Sequence, residues 1–280
     1  MVGARFQHKL GTFLLITPAV LFIVLWFVLP LARFLALAFA GDDGPFAALR
    51  TLLESEVYRR VFLNTFGLAS VVTAIALALA FPLALALSRL RGLRFSLLLF
   101  GVLFPFWISL LVRTFSWMLL LENSGPINRF LVGVGVVEKP LSLLFTDTAV
   151  VIGMVHVLLP YAVFPLLARM RGIDDRLIMA SDGLGASRFS TFRLVYLPLL
   201  TPGLFASIAL VFLLALGFFI TPALLGGAKT LTIATLIAGF VTDRLAWSLA
   251  AAGSLILLVA VGVLLVTVRR VLPVGEALPS

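Results

Sequence analysis

The 280-residue chain has no cysteine. Disulfides, thiolate metal sites and cysteine nucleophiles are therefore excluded. Histidine is nearly absent: His8 and His156 are the only two, and they cannot form the His-Glu-x-x-His pair of a zinc protease. Charge is scarce as well. Asp, Glu, Lys and Arg make up 12% of the chain against 62% hydrophobic residues, and mean hydropathy is +1.21. A soluble domain runs nearer about 25% charged and about 45–50% apolar. The composition is that of a polytopic membrane protein, whose folding problem is to satisfy its backbone in lipid rather than to bury a core from water. Gly226-Gly227-Ala228-Lys229-Thr230 looks like a phosphate-binding loop at a glance. A Walker A loop needs Gly and Lys adjacent, and here Ala228 intervenes. No base neighbours serines such as Ser187, so no acyl-transfer unit stands out. The chain is expected not to be an enzyme and to bind no cofactor or metal itself.

What is present is a series of hydrophobic runs. They fall at about residues 12–40, 61–88, 95–121, 147–168, 204–225 and 247–268. Each holds about the 20 apolar residues that cross a bilayer core. The expected fold is all-α with six transmembrane helices in one transmembrane domain, residues 1–280. Ala38-Phe39-Ala40 mimics a signal-peptidase site. The run before it is far longer than the roughly 7–15 residues of a signal h-region, so a retained helix is expected. Phe46 to Arg60 suits a short interfacial helix, and Gly226 to Ala246 a loop or partly re-entrant hairpin. Pro105 makes the third span kinkable. Asp147 is expected to cap the fourth.

The net charge of +9 suggests a nucleic-acid partner until its distribution is read. Six spans put both termini on one side. Twelve Lys/Arg lie on that side, among them Arg5, Lys9, Arg89, Arg91, Arg94, Arg269 and Arg270, against seven on the other. Arg33 and Arg113 fall within spans. Acids run the opposite way: Asp42, Asp43 and Glu122 lie outside, with Glu276 among the few inside. The positive-inside rule makes the termini and the loop at about residues 169–200 cytoplasmic. The charge is a topology signal, and no nucleic-acid partner is expected.

That central loop is too polar for lipid, with Asp182, Arg188 and Arg193. Gly183 and Gly185 allow a sharp bend between two short helices. Phe189, Phe192 and Tyr196 fall at i, i+3 and i+7, one helix face expected to pack against the membrane ends of the spans. Leu197-Pro198 is expected to close the helix before the next span.

Gly185, Ala186, Ser187, Phe192, Leu197, Pro198, Pro202 and Gly203 match, in register, the EAA loop of ABC importer permeases, which the stretch resembles. It departs at the start, where Met179-Ala180-Ser181 stands in place of Glu-Ala-Ala. Pro105 to Trp117, Gly125-Pro126-Ile127-Asn128-Arg129, and Gly226-Gly227-Ala228-Lys229-Thr230 resemble segments of the spermidine/putrescine-type branch. The resemblance implies an inner-membrane permease with an N-terminal helix at about 12–40, core permease helices at about 61–268 and a coupling loop. Ala180, Ser181, Asp182, Gly183, Leu184, Gly185, Ala186, Ser187, Phe189 and Phe192 would then meet an ATPase subunit. It also implies a second, commonly different, permease, an extracytoplasmic binding protein, and ATP with Mg on the ATPase alone. A small charged organic solute such as a polyamine is the implied cargo.

Intramembrane Arg113 is either a pathway residue or a structural charge. Trp107, Trp117 and Tyr161 are aromatic candidates for the path, since a cationic solute favours ring faces. The rival is an ion-coupled secondary transporter or channel, which usually shows an internal repeat or intramembrane acids. Neither is evident. An intramembrane enzyme lacks its catalytic groups, and a scaffold subunit leaves the ordered central loop unexplained.

Overall fold

The computed structural model describes residues 16–40, 44–227 and 230–271, with side chains to residue 267. Arg5, His8, Lys9, Asp42, Asp43, Ala228, Lys229 and Glu276, and the side chains of Arg269 and Arg270, lie outside that description. Every regular element among the described residues is a helix, and no strand occurs among them. Among the described residues, five helices are long and apolar enough to cross a bilayer, or six if one bent pair counts as a single span. The described residues form two compact units. One is the described part of Met1–Arg59 with Leu236–Leu265; the other is Arg60–Thr235 with the residues from Val266.

In the first unit, α1 spans Ile16–Phe39, and none of its most apolar stretch is buried. A wide π turn interrupts it at Val24–Val28. The helix expected between Phe46 and Arg60 is present as α2, Ala47–Glu54. Its exposed Arg50–Glu54 ion pair at 2.7 Å contributes little. The unit's core joins Ala38, Ala48 and Leu52 to Phe240 and the run Ala250, Ala251 and Ala252. Small side chains let helix backbones approach closely where lipid supplies no drive for association. Tyr58 meets the Phe240 ring edge-on at 5.7 Å.

The second unit is built around α7, Asp147–Arg171. Of its most apolar stretch, 61% is buried. Thr146, rather than Asp147, caps it: the Thr146 hydroxyl accepts from the Ala149 N–H at 3.3 Å. Asp147 sits in the first turn, where a carboxylate complements the helix dipole. Before α7 come α3, Glu56–Arg89, and α4, Gly92–Trp107. Then follow α5, Leu110–Leu121, and α6, Pro126–Gly133. The third hydrophobic run is not one straight span. It breaks between Trp107 and Leu110 by 98°, because a tight turn around Pro105 leads into extended Ile108 and Ser109.

After α7 come α8, Asp175–Gly183, and α9, Arg188–Leu216. The chain continues through α10, Ile220–Leu225, α11, Ile233–Thr242, and α12, Trp247–Val271. Two expectations change here. The segment after residue 226 contains a true helix, α11. Leu197-Pro198 does not end a helix, since α9 runs straight through it. A π turn at Phe192–Tyr196, closed by the Leu197 N–H on the Phe192 carbonyl, widens the turn just before Pro198. The ring and its missing N–H are thereby accommodated.

α9 lies along α7 at very close range. A Cβ on Gly203 would stand 2.5 Å from Arg169 Cβ and 3.1 Å from the Pro165 carbonyl oxygen. Two hydrogen bonds cross the same seam: Arg169 Nε donates to the Leu199 carbonyl at 2.6 Å, and Ser207 Oγ to that of Ala162 at 2.9 Å. Other hydroxyls in the spans, including Thr65, Thr73 and Thr114, bond back to the carbonyl four residues earlier. No buried hydroxyl among these is then left unpaired in an apolar setting.

Two further motif segments prove to be loop anchors. Asn128 is fully buried. Its amide donates to the Glu122 and Leu141 carbonyls at 3.1 and 2.9 Å and accepts from the Leu141 N–H at 2.8 Å. Gly226 and Gly227 pass so near Pro222 and Phe145 that a Cβ on either would stand under 3.0 Å from a carbonyl oxygen. Beyond them, Ile233 N–H donates to Thr65 Oγ1 at 2.9 Å, and Asn64 Nδ2 to the Leu231 carbonyl at 3.0 Å.

Candidate functional site

The central loop is a rigid projection. Asp174 opens α8 by accepting from the Arg176 N–H at 2.9 Å, as an N-cap should. α8 ends in a Schellman motif: the Ala186 N–H reaches the Ser181 carbonyl at 3.2 Å, and the Gly185 N–H that of Asp182 at 3.0 Å. Gly185 takes φ +79°, the left-handed region this motif demands. The bend therefore belongs to Gly185, while Gly183 is still the last residue of α8. Ser187 restarts the chain by capping α9, accepting from the Ser190 N–H at 3.2 Å.

A polar clasp joins the two arms. The Ser181 and Thr191 hydroxyls lie 3.0 Å apart, and Thr191 Oγ1 is 3.4 Å from Asp182 Oδ1. Thr191 is buried although the loop around it is open. Ala180, Asp182, Gly183, Gly185 and Ser187 are exposed, while Ser181 and Ala186 are half-buried. Leu184 stands at the apex, 89% exposed. The closed hydrogen-bond frame of Ser181, Asp182 and Thr191 lies behind it.

The aromatic face is only partly as expected. Phe192 meets Phe81 edge-on at 6.3 Å and stacks on Tyr196 at 5.9 Å. Phe189 is instead 70% exposed. The spacing was read on a regular helix, but the π turn opens at Phe192 and changes the angular step. Phe189 thus joins Leu184 on the outward surface.

The candidates for a solute path divide into two groups. Arg113 and Trp117 lie one turn apart on α5 and face His156 and Tyr161 of α7. Trp117 Nε1 donates to His156 Nδ1 at 3.1 Å. Arg113 is an electrostatic neighbour of both Tyr161 and His156. Its Nε is buried without a hydrogen-bond partner among the described residues. Phe106 closes the cluster, its ring edge-on to Tyr161 at 5.2 Å. Trp107 belongs elsewhere: it is 70% exposed and stacks on Phe100 at 6.0 Å. The cluster joins one fixed positive charge to four rings, with no carboxylate forming an ion pair there among the described residues.

Sequence reasoning missed Thr191, the hub of the clasp, and Arg169, the bolt between α7 and α9. A hydroxyl four residues after a cap and an arginine at the end of a span carry no special signal. It also gave no path role to His156 or Phe106.

The chain is 34% identical over 263 residues to the spermidine/putrescine transport system permease protein PotB of Escherichia coli (strain K12), covering 91% of this chain and 96% of that protein. In three dimensions it is similar to a chain of a bacterial ABC transporter involved in the import of the acidic polysaccharide alginate, at TM-score 0.79 and 18% identity over 96% of this chain and 97% of the other. A chain of the bacterial alginate ABC transporter, in complex with an alginate pentasaccharide-bound periplasmic protein, aligns at TM-score 0.78 and 18% identity over 95% of each. No family model matches the chain.

Proposed function

Because the chain belongs to the spermidine/putrescine-type family of ABC importer permeases, we propose that it forms, with a second permease, the transmembrane path for a polyamine, and that α8 with its exposed apex is the lever an ATPase pulls. The chain is a multi-pass inner-membrane permease, and in this reading it leaves catalysis to its partners. In this reading both termini and the central loop are cytoplasmic, as the Lys/Arg asymmetry supports. A periplasmic binding protein delivers the solute from outside. ATP and Mg act on the ATPase. The observation that carries the lever assignment is the apex: Leu184 fully presented, with the frame of Ser181, Asp182 and Thr191 closed behind it.

The mechanism follows from stiffness. A push on Leu184 and Phe189 is passed to α9 through the clasp and the Ser187 cap. Phe192 hands it to α3 through Phe81, and the Arg169–Leu199 bond hands it to α7. Because α7 and α9 touch at Gly203, they move as one body. Alternating access is then rigid-body rocking, not internal rearrangement.

For the solute, the rings of Trp117, Tyr161 and Phe106 offer a cation their negative faces. Arg113 opposes it. Such a surface passes a polyamine along without trapping it, which suits a path whose selectivity resides in the binding protein. Conduction needs binding weak enough to leave.

The test is reconstitution. The tagged chain should capture an ATPase and a second permease. Vesicles should then take up labelled spermidine only with ATP and the binding protein present. Leu184→Asp should abolish ATPase capture and uptake while the chain inserts and melts normally. Uptake that survives ATP depletion, or full ATPase capture by Leu184→Asp, would overturn the reading.

A further inference from the structure

Where α3 and α7 end and the central loop begins, the second unit has an open cavity of about 630 Å3. That lies within the range of ligand sites, ~300–1,000 Å3. Arg89, Arg91 and Arg171 line it, together with Ser88, Tyr196 and a single carboxylate, Asp175. None of the three arginines makes an ion pair with a described residue. Arg171 is held in place: its guanidinium lies 3.9 Å over the Phe95 ring and donates once, to the Leu87 carbonyl at 3.4 Å. Most of its N–H groups stay uncommitted. Arg89, in the last turn of α3, is an electrostatic neighbour of Tyr196. A smaller adjoining groove shares Arg89 and Tyr196 and adds Arg188 and the carboxylate of Asp182, with Leu85 and Ile178 as apolar lining common to both spaces.

Uncompensated guanidiniums, a hydroxyl and an apolar wall at the ends of two membrane-spanning helices match one ligand chemistry. We propose that this cavity binds the phosphate-bearing headgroup of an anionic phospholipid. Guanidinium forks pair with phosphate oxygens in two-point contacts, and basic pockets between helices at a membrane face take such headgroups. The apolar side chains of Leu85 and Ile178, shared by the cavity and the groove, favour a lipid over a free phosphate. The headgroup bridges α3, α7 and the base of the central loop, so the lipid tunes how firmly the lever is seated. Placing the site in the cytoplasmic leaflet rests on the orientation proposed above; the binding itself does not.

The test uses the full chain purified in a neutral detergent. Its melting temperature is followed against short-chain phosphatidylglycerol, short-chain phosphatidylcholine and inorganic phosphate. A saturable rise with phosphatidylglycerol alone is expected. Arg89→Gln and Arg91→Gln together should remove that rise without lowering the lipid-free melting temperature, since both side chains are exposed. Arg94→Gln, in the first turn of α4 and outside the cavity lining, should keep it. Native mass spectrometry should show one retained phosphatidylglycerol lost in the double variant. An equal rise with inorganic phosphate would replace the lipid by a free anion and overturn the proposal. So would a rise that survives the double variant, or none at all. Because no ATPase is present, failure here leaves the lever reading standing, and loss of ATPase capture by Leu184→Asp leaves this site standing.

Discussion

Replacing Gly203 with alanine tests the seam on which rigid-body motion depends. The added carbon would stand 2.5 Å from Arg169 Cβ, 3.1 Å from Arg169 Cγ and 3.1 Å from the Pro165 carbonyl oxygen. Carbon atoms prefer about 3.5–4.0 Å, so α9 has to lift from α7 by roughly 1 Å. The 2.5 Å contact and the carbonyl contact cannot yield by a side-chain rotation, because a Cβ and a carbonyl move only with their helix. Overpacking of this kind costs about 1–3 kcal/mol. Lifting α9 also stretches the Arg169–Leu199 and Ser207–Ala162 bonds, now 2.6 and 2.9 Å. Interhelical bonds of that type contribute about 0.6 kcal/mol each in a membrane protein. Alanine's better helix propensity returns about 1 kcal/mol. The net is a loss of about 1–3 kcal/mol, which for a chain of this size lowers the melting temperature by about 2–4 °C per kcal/mol. Scanning fluorimetry in detergent reads it directly. Gly67→Ala in α3 is the control: nothing lies within 4 Å of its new carbon, so that variant should melt no lower than wild type. Gly203→Ala melting at or above wild type would refute the reasoning, since the seam would then have had room.

Other positions separate local strain from packing. Gly185→Ala has open space around it, so its cost is the left-handed backbone alone, about 1–2 kcal/mol; the melting temperature should fall by about 2–4 °C per kcal/mol, and ATP turnover coupled to uptake should fall with it. Asn128→Ala removes three hydrogen bonds that a buried side chain makes to the Leu141 N–H and the Glu122 and Leu141 carbonyls; at about 0.5–1.5 kcal/mol for each bond lost, the fall in melting temperature should at least match that of Gly203→Ala. Trp117→Phe deletes the hydrogen bond to His156, worth about 1 kcal/mol; hydrogen exchange at the facing ends of α5 and α7 should quicken, and spermidine uptake should slow without loss of ATPase capture. Thr191→Val keeps the shape but opens the clasp; ATPase should still be captured, with fewer solute molecules moved per ATP.

Much of the architecture was readable because its causes are local. Long apolar runs satisfy their own backbone only as helices, so 61–88, 147–168 and 247–268 reappear within α3, α7 and α12. Gly185, Ser187 and the capping pattern around them act within a few residues, so the bent central loop is visible in the order of residues. Where spacing was converted into faces, the reading depended on regular helical geometry. It slipped at Phe189 because a π turn begins three residues later, and at Leu197-Pro198 because that turn removes the clash that would end a helix.

Composition and local pattern were enough to establish an all-helical membrane protein with an exposed polar loop between hydrophobic spans. Those properties follow from hydration, backbone satisfaction and short-range stereochemistry, which the chain carries with it. Only the tertiary structure decided which groups meet across it. Gly203 became a contact point because α7 crosses there, Thr191 a hub because α8 folds back upon it, and Arg113, Trp117, His156 and Tyr161 one cluster because α5 lies along α7. Arg89 and Arg171, eighty-two positions apart, share a cavity for the same reason. Such pairings are set by how helices of almost uniform greasiness pack, and a near-uniform surface leaves little periodic signal to say which face meets which.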